Sequence, residues 1–195
     1  MNLPSGLHIV GIGGTLRPNS TSRIALELAL QAARAAGAST ELLDLNRIRL
    51  PFYEPDLSLE EHGPAAVEFV AAARRADAFI LSTGGYHGTM AGVTKNALDF
   101  LEFMARDERP YLTGRIAGVL ATAGGELAAV NAINGLVNAV HALRGTVAPL
   151  FVPLSRSWEL FDAAGELGNA HLAARLEQLG TLVAQSAAAL KAAAV

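Results

Sequence analysis

Ten residues, GGTLRPNSTS at positions 13–22, gather the groups that hold a phosphate. Thr15, Ser20, Thr21 and Ser22 offer hydroxyl donors, and Arg17 offers a fork of N–H groups. A helix is predicted to start at about Ser20 to Ser22, so its first backbone N–H groups and its positive dipole end add to the same place. A charge-assisted hydrogen bond is worth about 1.5–3 kcal/mol, so several could hold a phosphate monoester. A plainer reading has Ser20 or Thr21 only capping the helix, but four hydroxyls exceed what one cap needs.

Two further loops have matching chemistry. Gly84 to Gly92 (GGYHGTMAG) holds four glycines in nine residues and is predicted to be a loop. Ala123, Gly124, Gly125 and Glu126 form the third. Other phosphate motifs fit poorly. No Lys or second Gly stands where G-x-x-x-x-G-K-[ST] needs them. Gly11 and Gly13 match the start of G-x-G-x-x-G, but Leu16 replaces the third glycine. Asp44, at the end of a predicted strand, suits either a ribose ligand or an ordinary polar strand end. No G-x-S-x-G nucleophile elbow is present. The chain has no Cys, which excludes disulfides and thiolate catalysis. His8, His62, His87, His141 and His171 are scattered without metal-ligand spacing.

The elements that would carry these loops alternate between strand and helix. Predicted strands cover residues 7–12, 39–44, 76–82, 115–122 and 146–152. Predicted helices cover 22–36, 64–75, 93–104, 127–143 and 167–193. Alternation of this kind implies a parallel sheet with helices on both faces. Five strands favour a three-layer αβα sandwich of flavodoxin-like order 2-1-3-4-5, with residues 1–195 as a single domain. Ligands in such sheets bind at the carboxyl ends of the strands, where all three loops fall. The 195 residues are 51% apolar and 17% charged, with net charge −3, which argues against disorder and a broad nucleic-acid or membrane footprint. No targeting segment or membrane-spanning run is visible, so a soluble, cytoplasmic protein is expected.

A resemblance becomes specific across the first two loops. The chain resembles the NADPH-dependent FMN reductase family over about residues 7–150. Gly14, Thr15, Arg17 and Ser20 match its G-S-x-R-x-x-S-type loop, with Thr15 for the usual Ser. Tyr86, Thr89, Gly92, Lys95, Asn96, Ala97 and Asp99 fall in register with its P-E-Y-N-x-S-x-P-G-x-L-K-N-x-x-D-W-type segment, with Phe100 at the aromatic position. The departures are Gly84-Gly85 for Pro-Glu, His87 for Asn, Ala91 for Pro and Thr94 for Leu. Residues 121–125 resemble the family's third, glycine-rich loop.

The resemblance implies FMN as cofactor, NADPH or NADH as hydride donor and a small-molecule electron acceptor. It places the FMN phosphate at Thr15, Arg17, Ser20, Thr21 and Ser22. The flavin ring would lie beside Gly84, Gly85, Tyr86, His87 and Gly88, with Ala123, Gly124 and Gly125 on its other side. Tyr86 suits stacking on the flavin, a subunit contact or simple loop packing. His87 suits either a site contact or a solvated loop position. Lys95 and Asn96 are expected to organise the loop rather than touch substrate. No acid or base is implied, because the cofactor carries the chemistry. A homo-oligomer, dimer or tetramer, is also implied, with the Ala-rich helices as contact surfaces. An electron-transfer flavodoxin and a nicotinamide-only dehydrogenase remain as alternatives.

Overall fold

The computed structural model describes residues 6–162 and 164–193. Five parallel strands form the sheet in spatial order β2-β1-β3-β5-β6. They are β1 (His8–Gly13), β2 (Ser39–Asp44), β3 (Ala78–Tyr86), β5 (Ile116–Ala123) and β6 (Thr146–Ser155), with a two-residue β4 (Thr89–Met90) folded back on β3. This is the flavodoxin-like order expected, with one short antiparallel strand added.

The central strands are apolar throughout because helices cover both faces. Every residue of β5 is buried. On one face, α1 (Thr21–Ala35) and α7 (Ala170–Ala193) close over Ile9, Ile80, Leu120 and Val152. On the other, α3 (Pro64–Arg75), α4 (Gly92–Asp99) and α5 (Glu126–Ala142) cover Val10, Phe79, Leu81 and Val119. Much of the chain's alanine is spent here. Ala184, Ala187 and Ala188 of α7 are buried against the α1 layer, and a Cβ on Gly180 would lie 2.0 Å from the Ala29 carbonyl oxygen. The two helices therefore touch backbone to backbone.

Several expected boundaries shift. The stretch 84–92 is not a loop throughout. β3 runs on to Tyr86 because Ser82, Thr83 and Gly84 still pair with β5. The chain then reverses at His87 and Gly88, whose φ values of 47° and 88° suit a two-residue hairpin turn, and returns as β4. The helix expected over 93–104 is α4 followed by a 3-10 segment, Phe100–Met104. The last helix starts at Ala170 rather than at residue 167. Two one-turn helices, α2 (Leu45–Ile48) and α6 (Ser157–Leu160), went unforeseen. β6 forms one border of the sheet and contains Pro149 and Pro153, which bring no amide hydrogen to any ladder.

Candidate functional site

The cleft at the carboxyl ends of the strands has a volume of about 800 Å³. One wall is the loop between β1 and α1. The Ser20 hydroxyl ties that loop together. It accepts from the Thr15 backbone N–H at 2.9 Å, meets the Thr15 hydroxyl at 3.2 Å and the Ser22 hydroxyl at 2.9 Å, and caps α1 through the Arg23 N–H at 3.4 Å. Ser20 is thus the helix cap, and its hydroxyl also sets the shape of the loop. The backbone N–H groups of Thr21 and Ser22, in the first turn, have no intrahelical acceptor.

Charge gathers at the same end. Arg17 is exposed at the loop tip and Arg23 stands on the first turn of α1. Among the described residues neither guanidinium forms an ion pair with a carboxylate. Most other arginines and lysines do, or bond a carbonyl. Two unengaged cations beside a helix N-terminus make this end attractive to an anion.

The floor comes from β3 and β5. Gly84 and Gly85 present backbone only. A Cβ on Gly84 would lie 3.0 Å from the Thr15 methyl and 3.1 Å from the Tyr86 ring. One on Gly85 would lie 2.8 Å from the Ala128 carbonyl oxygen. The missing side chains let the hairpin pack on α5 and keep the floor open. Beneath the floor, the Ser82 hydroxyl donates to the Ser22 carbonyl at 2.7 Å, joining β3 to α1. The Thr83 hydroxyl accepts from the Ala91 N–H at 3.1 Å and meets the Thr94 hydroxyl at 2.9 Å, joining the hairpin to α4.

Nine expected residues line this one cleft: Thr15, Arg17, Ser20, Thr21, Gly84, Gly85, Tyr86, Ala123 and Gly124. Ser22 does not; its side chain is fully buried in the loop's hydrogen bonds. His87 and Gly88 sit at the hairpin turn, and Gly125 is the N-cap of α5, all three outside the lining. Asp44 also lies elsewhere, capping α2 through the Asn46 N–H at 3.0 Å. Lys95 pairs with Asp99 at 2.5 Å, and Asn96 bonds the Pro51 carbonyl at 2.8 Å and the Tyr53 N–H at 2.9 Å. Asn96 thus ties α4 to the segment around Pro51 and Tyr53, whereas Lys95 forms an exposed pair within α4.

The far wall was not foreseen. It is the segment after β6, which brings Trp158, Phe161, Asp162 and Glu166 to the cleft, with Glu27 of α1 nearby. The one available signal was its position after the last strand, at the edge where ligands bind. The cleft is therefore cationic at the β1–α1 loop and acidic along its far arm. No helix among the described residues is long and apolar enough to cross a membrane.

Comparison with known proteins agrees with this architecture. The family model for NADPH-dependent FMN reductase matches residues 7–159. The chain is 33% identical over 169 residues to the NAD(P)H-dependent FMN reductase PA1204 of Pseudomonas aeruginosa, covering 83% of this chain and 84% of that protein. It is 35% identical over 97 residues to a quinone reductase of Escherichia coli, covering 49% of this chain and 50% of that one. Among solved structures, an NADH:FMN oxidoreductase in its apo form superposes with a TM-score of 0.69 at 25% identity, over 92% of this chain and 89% of that one. With the match running from the first strand to Glu159, and so over the β1–α1 loop and the glycine floor of the cleft, the chain belongs to the NADPH-dependent FMN reductase family.

Proposed function

We propose that the chain binds FMN in this cleft and acts as an NAD(P)H oxidoreductase that reduces a small acceptor, a flavin or a quinone. The observation that carries the reading is the division of the cleft into a cationic end and a glycine floor. At the cationic end, Arg17, Arg23 and the free N–H groups of Thr21 and Ser22 suit the doubly charged 5′-phosphate. At the floor, Gly84 leaves room between Thr15 and Tyr86 for a flat ring to lie against backbone, Gly85 lets the hairpin sit on α5, and Gly124 meets the Trp158 indole at the rim. A volume of about 800 Å³ accommodates the whole cofactor.

FMN bound there supplies the ring that accepts hydride from the nicotinamide and passes electrons to the acceptor. The chain's own residues bind and orient. Ser20 holds the phosphate loop in shape through Thr15 and Ser22. Thr83 and Thr94 hold the hairpin that carries Tyr86. No side chain is assigned a proton-transfer role.

The first test is a parallel titration of flavin-stripped protein with FMN and riboflavin, followed by an assay of NADPH and NADH oxidation with flavin and quinone acceptors. Preference for FMN over riboflavin together with acceptor-dependent NAD(P)H oxidation is the expected result. FMN binding without NAD(P)H oxidation would favour an electron-transfer protein, and absence of flavin binding would overturn the reading.

We further propose a single-domain, cytoplasmic protein that forms a homodimer or homotetramer. The family resemblance supports this. A monomeric mass at micromolar concentration in sedimentation would overturn the assembly.

A further inference from the structure

Trp158 is the only tryptophan in the chain and is 64% exposed. Leaving so large an apolar ring in water contributes little to folding, so its position invites explanation. It sits on the far wall of the cleft, facing the glycine loops. A Cβ built on Gly124 would lie 3.4 Å and 3.6 Å from the Cζ3 and Cη2 atoms of the indole. The indole edge therefore reaches the loop after β5.

The segment that carries it is braced by its own bonds. The Glu159 N–H donates to the Arg156 carbonyl at 2.8 Å, and the Gly168 N–H to the Leu160 carbonyl at 2.9 Å. The Asp162 carboxylate accepts from the Ala164 and Glu166 N–H groups at 2.9 Å and 2.8 Å. Phe161 bridges to Leu167, and Leu160, Phe161 and Leu167 pack on the core beneath α1 and α7. Trp158 is thus an exposed ring on a braced support, at the rim of a floor built from glycines and the small residues Thr122 and Ala123.

We infer that Trp158 packs against the isoalloxazine ring of bound FMN and positions it, independently of the phosphate contacts. The inference rests on the proposed FMN site and adds to it a residue outside the three loops. An aromatic wall opposite a backbone floor recognises a flat, fused ring system. It acts on the ring alone, so FMN and riboflavin feel it equally. Arg17, by contrast, separates the two.

The test uses flavin-stripped wild type, Trp158→Ala and Trp158→Phe, titrated with FMN and riboflavin. Trp158→Ala is expected to raise Kd for both ligands by the same factor, about tenfold, with Trp158→Phe within about threefold of wild type. A second readout is the emission lifetime of bound FMN. An indole in contact shortens it by electron transfer to the excited flavin, so Trp158→Phe should lengthen it, measured in a Tyr86→Phe background to remove the other nearby quencher. Unchanged Kd for both flavins in Trp158→Ala, or unchanged lifetime in Trp158→Phe, overturns the assignment while wild-type binding stands. Failure of the wild type to bind any flavin overturns the FMN reading itself. Because the indole is exposed, the variants should keep the wild-type melting temperature.

Discussion

The hydroxyls of Thr83 and Thr94 meet at 2.9 Å, both sealed from solvent, and join the end of β3 to the first turns of α4. The Thr83 oxygen also accepts the buried Ala91 N–H. Removing it orphans a backbone donor and a hydroxyl together. Thr83→Val should cost about 1–3 kcal/mol, read from urea midpoints. The Thr83→Val/Thr94→Val double variant should cost less than the sum of the single changes, because the second removes the stranded hydroxyl. Simple additivity would show that the pair does not act as a unit.

Arg17 reaches the cleft without an engaging carboxylate among the described residues. Arg17→Ala should therefore weaken FMN by about ten- to a hundredfold. Riboflavin, lacking the phosphate, should be affected little. Equal weakening of both flavins would mean that Arg17 supports the loop rather than the phosphate.

Gly85 and Gly124 line the same floor but tolerate substitution differently. A Cβ on Gly85 presses on the Ala128 carbonyl at 2.8 Å and the Ala123 Cβ at 3.0 Å, so the hairpin or α5 must move. Gly85→Ala should cost about 1–3 kcal/mol in thermal melts. A Cβ on Gly124 meets only the Trp158 ring at ordinary contact distance. Gly124→Ala should fall within about 0.5 kcal/mol of wild type. The reverse order would contradict this packing.

Tyr53 and Tyr111 share a neighbour in Glu102. Burial raises both phenol pKa values above the ordinary 10.0, and the Glu102 carboxylate, which accepts the Tyr111 hydroxyl at 3.0 Å, raises them further. The folded state then holds protons that the unfolded state releases. This stability is fully present below pH 10 and is lost as pH climbs through the raised values. In a 295 nm titration, Glu102→Gln should move the tyrosinate curve to lower pH. A curve identical to wild type would remove the carboxylate from the account.

Much of the fold was legible because its punctuation is local. Gly37 and Pro64 mark a helix end and a helix start, and β2 and α3 fall over Ser39–Asp44 and Pro64–Arg75 as expected. The hairpin was hidden for the opposite reason. Gly84 and Gly85 have weak strand preference; pairing with Thr122 of β5, some forty residues away in sequence, keeps Gly84 extended, and pairing with Met90 of β4 keeps Gly85 extended. The β1–α1 loop stood out by its hydroxyls and Arg17, and the structure brings Thr15, Arg17, Ser20 and Thr21 to one cleft. The far wall could not, because Trp158 reaches Gly124 through a fold-level return of the chain. Nothing next to Trp158 in sequence announces that meeting.

Pro149 and Pro153 have a consequence for how copies of this molecule can meet. A strand laid along the outer side of β6 would seek amide hydrogens that these two residues lack, and the Phe151 carbonyl between them already accepts from Arg175 at 3.1 Å. The border is closed to recruitment even though Phe151 is exposed beside it. Self-association on that side must proceed through side chains, where it can be specific and reversible, rather than through an open-ended backbone ladder.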